Sequence, residues 1–152
     1  MDFLMGTSLL VVASVAALVA TGIEYYVVAI AYPAFGMVDA RQFLAIHALH
    51  TERIAYVIGP ALLGAFAANA LLVANRPRNV PLWLPVVAAL AGAGVLAYTA
   101  FVAIPLHARL AAGADTKTIG ALNATEWMRA MLTVLQATCD VVMLWLVLRA
   151  TR

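Results

Sequence analysis

A single cysteine, Cys139, excludes a disulfide framework, and its place inside an apolar stretch suits a small packed side chain. Charge is scarce: 11% of residues are charged, against about a quarter in a soluble domain. The formal net charge of +2 is too small to point to nucleic acid, and Lys117 is the lone lysine among nine basic residues. No basic segment precedes the first apolar run, because residues 1–6 contain neither Lys nor Arg. That run continues from Ser8 to Ile30, too long for the apolar part of a signal peptide, and reads as a retained first span. Internal repeats and low-complexity linkers are missing too, so nothing marks off a separate soluble domain. What the chain has in excess is apolar surface, at 66% of residues.

Crossing a bilayer takes about 20 apolar residues. Four segments qualify, at about 7–31, 42–74, 81–106 and 118–148. The predicted fold is all-α, an antiparallel four-helix transmembrane bundle formed by one integral membrane domain over residues 1–152. The first span is expected to end at Tyr32-Pro33, and Pro60 and Pro105 to kink the second and third. Asn75-Arg76-Pro77-Arg78-Asn79 makes a polar turn, and Thr116 or Thr118 is available to cap the fourth helix. Arg76, Arg78, Arg149 and Arg152 share one side, against Arg41, Arg109 and Lys117 on the other. Lys and Arg concentrate in the cytoplasm, so both termini are placed there, in the cell (inner) membrane.

Inside the fourth span, Glu126, Arg129, Thr133, Gln136 and Asp140 recur at steps of three and four. At about 100° per residue they line one side of a helix. Ionisable groups at membrane depth are costly and mark a site by default. The topology brings Glu24, His47, His50, His107 and Glu126 to one level near the non-cytoplasmic face, with Arg53 and Arg129 about one turn deeper. His47 and His50 stand at i and i+3, a spacing used by metal sites in helix bundles. The expected metal ligands are His47, His50, His107, Glu24 and Glu126, for iron, copper or zinc. Glu126, Arg129 and Arg53 are the expected catalytic groups, with the arginines orienting carboxylates or binding an anionic or quinone-like substrate.

A second reading pairs Arg53 and Arg129 with Glu24 and Glu126 in a salt-bridge network that only holds the bundle together. Asp140 either extends a proton path through Gln136 and Thr133, or is protonated, or is hydrogen-bonded to Asn69 or Ser14. Glu52 points away from the site. Tyr25, Tyr26, Tyr32 and Trp127 fit one aromatic belt, and Trp83 and Trp145 the other.

Four blocks stand out together: Tyr32-Pro33-Ala34-Phe35, His47-Ala48-Leu49-His50, Ile104-Pro105-Leu106-His107 and Trp127-Met128-Arg129. With them the chain resembles a family of small four-span bacterial membrane proteins of unassigned function, distantly similar to anthrone-oxygenase-like membrane proteins. Glu126 stands where that pattern has Asn. The resemblance implies a four-helix fold and oxidation of an apolar or aromatic substrate. The expectation is therefore a membrane oxidoreductase with a metal or cofactor. The alternatives are an accessory protein that binds lipid or a partner, and a proton-coupled transporter using the stripe from Glu126 to Asp140. A bundle this small would need to form a homo-oligomer to transport.

Overall fold

The computed structural model describes residues 2–150, with side chains from residue 4. The chain is 89% helical, with no strand among the described residues. α1 (Asp2–Tyr26) passes through a π-helical turn, Val27–Ala31, into α2 (Tyr32–Phe35). α3 (Ala40–Asn75) is unbroken. α4 (Trp83–Tyr98) passes through a second π-helical turn, Thr99–Ala103, into α5 (Ile104–Leu110), and α6 (Thr116–Ala150) completes the chain. These make four spans long and apolar enough to cross a bilayer: Leu4–Phe35, Ala40–Asn75, Trp83–Leu110 and Thr116–Ala150. Each packs beside its neighbours in sequence, and the fourth closes the ring against the first. This is the antiparallel bundle that the sequence predicts, and its composition marks a multi-pass membrane protein.

Burial is inverted relative to a soluble bundle. Leu18, Leu63, Leu90, Phe101 and Met131 face outward, whereas Glu24, Asn69, Glu126 and Asp140 are completely buried. Outward apolar side chains suit acyl chains, and inward polar ones avoid them. The core changes character along the bundle axis. Leu10, Leu72, Leu84 and Met143 pack at the end that carries Arg76 and Arg149. Tyr32, Phe35, Phe43 and Leu122 pack at the other. Small residues join the two ends: Ala17, Ala65 and Ala137 meet at one level. A Cβ on Gly92 would come within 2.9 Å of Gln136 Nε2, so glycine there makes room for a buried amide.

The first and third spans run past their predicted ends, to Phe35 and Leu110 rather than residues 31 and 106. Proline explains both differences. A proline ring clashes with the carbonyl four residues earlier. For Pro33 that carbonyl is on Ala29, and for Pro105 it is on Phe101; both lie within the π-helical turns. The wider turn absorbs the clash, so the helix continues instead of stopping.

Helix starts are capped by aspartate. Asp39 Oδ1 accepts from the Arg41 N–H at 2.9 Å. Asp115, not the expected Thr116 or Thr118, caps α6, accepting from the Lys117 N–H at 3.2 Å and the Thr118 N–H at 3.1 Å. Gly113 enters this turn with φ of +146°, a conformation that side chains strain. At the opposite end Asn79 Nδ2 donates to the Leu146 carbonyl at 2.8 Å, tying the second turn to the last span. Of the four arginines expected to cluster there, Arg152 lies outside the described residues.

Candidate functional site

α3 has 36 residues and is about 54 Å long, well beyond a hydrocarbon layer of about 30 Å. Counting about 20 residues from Asn75 reaches the neighbourhood of Ala55. The same count from Arg149 reaches Arg129. The polar layer therefore sits at the boundary between hydrocarbon and headgroups.

The three histidines converge there, as the sequence predicts. His47 Nε2 lies 3.0 Å from His107 Nδ1. The His50 and His107 rings stack with centroids 5.6 Å apart. The unpredicted member is Tyr32, whose hydroxyl lies 2.9 Å from His107 Nε2. Phe35 stacks on Tyr32 and meets His50 edge-on at 5.2 Å, and Phe43 stacks on His47 at 5.5 Å. Three helices thus close an aromatic box around a chain of hydrogen bonds from Tyr32 through His107 to His47.

The carboxylates form a separate group around Arg129. Its Nε donates to Glu24 Oε2 at 3.0 Å, and its Nη2 pairs with Glu126 Oε1 at 2.5 Å. Its Nη1 donates to Thr99 Oγ1 at 3.2 Å. Arg129 thereby links the first, third and fourth spans, and all three charged side chains are at least 95% buried. Removing Arg129 would leave two buried carboxylates without a cation, so this cluster is a strut.

The expected ligand set therefore does not assemble. Both ring nitrogens of His107 are engaged by neighbours, and Arg129 holds both carboxylates. Among the described residues no group of three or more His, Cys, Asp or Glu side chains is placed to hold a metal ion. Arg53 also departs from expectation. Its side chain is 70% exposed and lies 3.9 Å from Glu52, away from Glu24 and Glu126. With Tyr26, Phe35 and His50 it lines an outer groove between the first and second spans. Glu52 points outward as predicted.

A cleft of about 540 Å³ opens between the second and third spans. Ile58, Leu62, Leu96 and Ile104 wall it; Tyr32, His47, His107 and Arg129 supply its polar end. Apolar walls converging on a few placed polar groups are the usual form of a small-molecule site. Both π-helical turns adjoin it, since one precedes Tyr32 and the other contains Thr99 and Ala103. Such turns occur often at functional sites.

Deeper in the bundle Asn69 Nδ2 donates to Asp140 Oδ2 at 3.2 Å, one of the partners expected for Asp140. Cys139 is buried beside it. Tyr32 was missed as a site residue because a span ending at Tyr32-Pro33 puts its ring in the belt. The available signal was the placing of Pro33 and Pro105, each next to an aromatic or histidine of the site. The four blocks that stand out in the sequence all contribute to this region, through Tyr32, Phe35, His47, His50, His107 and Arg129.

No family model, curated protein or solved structure matches the chain.

Proposed function

We propose that this is an inner-membrane oxidoreductase, with both termini cytoplasmic, that takes an apolar quinone-like or hydroxyaromatic molecule from the bilayer into the cleft between the second and third spans. The observation that carries the proposal is the cleft, with aliphatic walls facing lipid and Tyr32, His47 and His107 at its polar end. A lipid-dissolved molecule would slide in between the helices, with its hydroxyl or carbonyl head against the Tyr32–His107–His47 chain.

That chain can pass a proton along its length. In one polarity the Tyr32 hydroxyl donates to His107 Nε2 and His107 Nδ1–H donates to His47 Nε2. In the other, His47 Nε2–H donates to His107 Nδ1 and His107 Nε2–H donates to the Tyr32 oxygen. Moving between them carries a proton in at one end and out at the other. Oxidation of a hydroxyaromatic by dioxygen begins with loss of the substrate's hydroxyl proton, and neutral imidazole is suited to take it. The resemblance to anthrone-oxygenase-like proteins favours this substrate class. The histidines serve here as a relay instead of a metal set, and Arg129 keeps the polar end rigid.

The test is saturable binding of a short-chain naphthoquinone to the purified protein, followed by tryptophan quenching. Ala55→Trp, at the exposed mouth of the cleft, should abolish binding and leave helicity intact. Unchanged binding in that variant would remove the cleft from the account. Elemental analysis of the same preparation should find no stoichiometric iron, copper or zinc. One equivalent of metal, lost on replacing His107 with alanine, would instead restore the metal reading.

A further inference from the structure

Four buried polar atoms inside the hydrocarbon layer have no hydrogen-bond partner among the described residues: Ser14 Oγ, Asn69 Oδ1, Gln136 Nε2 and Asp140 Oδ1. Their side chains come from three spans, and each residue is at least 96% buried. Ser14, Asn69 and Asp140 sit between two small-residue and aliphatic layers, one at Ala17, Ala65 and Ala137, the other at Leu10, Leu72 and Met143, and Gln136 adjoins the first of these layers. Asp140 is nine residues from Arg149, about 14 Å along the helix.

No cation compensates Asp140. Residues 4–23 of the first span, 57–74 of the second, 83–106 of the third and 130–148 of the fourth contain no Lys, Arg or His. Cys139, on the same helix, is its titratable neighbour; Asn69, which meets it from the second span, carries no charge, and neither does the buried Ser14 of the first. An isolated carboxylate in such a place is costly, and a proton removes the charge. The unpartnered atoms also suit water. A buried water takes two to four polar partners, and this layer offers two acceptors, one amide donor and a hydroxyl that is both.

The stripe continues toward the cleft. Thr133 and Gln136 are buried on the same face of α6, and neither oxygen of the Glu126 carboxyl makes an aligned hydrogen bond. Glu126 and Asp140 are fourteen residues apart, about 21 Å along the helix. Gly92 leaves space for the Gln136 amide one turn from Asp140 on this route.

We propose that Ser14, Asn69, Gln136 and Asp140 enclose a water-holding, proton-carrying site within the membrane, and that it exchanges protons with the Glu126 end of the bundle along α6 past Thr133. The site would carry a proton between the cleft and the side that bears Arg76 and Arg149. It stands on its own observations and requires no ligand in the cleft.

Infrared spectroscopy of the protein in liposomes tests it. A protonated-carboxyl band should be present in the native protein and missing from Asp140→Asn, a change that preserves shape and the Asn69 contact. Ser14→Ala should shift the frequency of that band without removing it, which separates a local effect from misfolding. On transfer to heavy water the band should exchange, and Thr133→Val, of nearly equal size, should slow exchange about tenfold, the scale of one lost hydrogen-bonded station. Absence of any band sensitive to Asp140→Asn would overturn the site. Unaltered exchange in Thr133→Val would overturn the path.

Discussion

The two ends of this bundle are built from the same four helices and obey different rules. At the end with Arg76 and Arg149, Leu10, Leu72, Leu84 and Met143 interlock on regular α-helix. At the other, aromatic rings, three histidines and a buried ion triad gather where two of the four spans, the first and the third, are interrupted by π-helical turns. The first end holds the spans together by dispersion and close packing, which is what drives helix association in lipid. The second end accepts irregular backbone and buried charge, and it is there that the helices part to form a cleft. Structure and chemistry are thus separated along the bundle axis rather than layered from outside to inside.

The sharpest way to break this contrast is Arg129→Met. It leaves Glu24 and Glu126 buried without a cation and should cost about 3–5 kcal/mol in detergent unfolding, because the uncompensated charges outweigh the lost contacts. Adding Glu24→Gln to that variant should recover part of the loss. A cost near zero would mean that the triad is no strut.

Leu72→Ala probes the opposite end. A fully buried leucine replaced by alanine should cost about 2–5 kcal/mol. Naphthoquinone binding should be unchanged at temperatures where the variant is folded, since the cleft is elsewhere. Impaired binding would show that the two ends are coupled.

Tyr32→Phe keeps the ring on Phe35 and deletes the hydroxyl that meets His107. Stability should fall by about 1 kcal/mol. Proton-coupled turnover of a bound hydroxyaromatic should fall by about a hundredfold, within the usual range for a lost acid–base group. Turnover that ignores the substitution would dismiss the relay.

The smallest effect belongs to Asp115→Ala, at the start of α6. Hydrogen bonding from the Thr118 hydroxyl, aided by the Lys117 and Thr118 amides, holds the Asp115 carboxyl below the ordinary carboxylate range. A lowered folded-state value means that the stabilisation is complete above the ordinary range and is lost as pH falls through the folded value. The melting temperature of native protein and variant should differ slightly at neutral pH and converge in acid. A gap that persists in acid would assign the effect to something other than the ionised carboxylate.

The sequence carries most of the fold plainly. Four apolar runs separated by short polar turns leave little choice of topology, and the i, i+3, i+4 stripe on α6 places Glu126, Arg129 and Asp140 inside without any structure. The meeting of the histidines also follows from counting residues from each turn. Three things do not. Whether Glu24 reaches Arg129 or Arg53 depends on helix rotation, which composition does not set when helices are apolar on most sides. Whether the histidines engage a metal or each other depends on fractions of an ångström. And the inward position of Tyr32 depends on how Pro33 is accommodated, because a proline is compatible with a stop, a kink or a wider turn.

The π-helical turns make chain length itself a functional variable. Each holds one more residue than an α-helical turn would. Were Thr99–Ala103 to close into ordinary α-helix with all five residues kept, everything beyond it would turn through about 100° relative to the preceding helix. His107 would leave the relay, although no residue that touches it had been substituted. Deleting the surplus residue, such as Ala100, would instead keep His107 near its present face and return the clash of Pro105 with the carbonyl four residues earlier. In this bundle the width of the turn between Val95 and His107 is as much a part of the site as the imidazole.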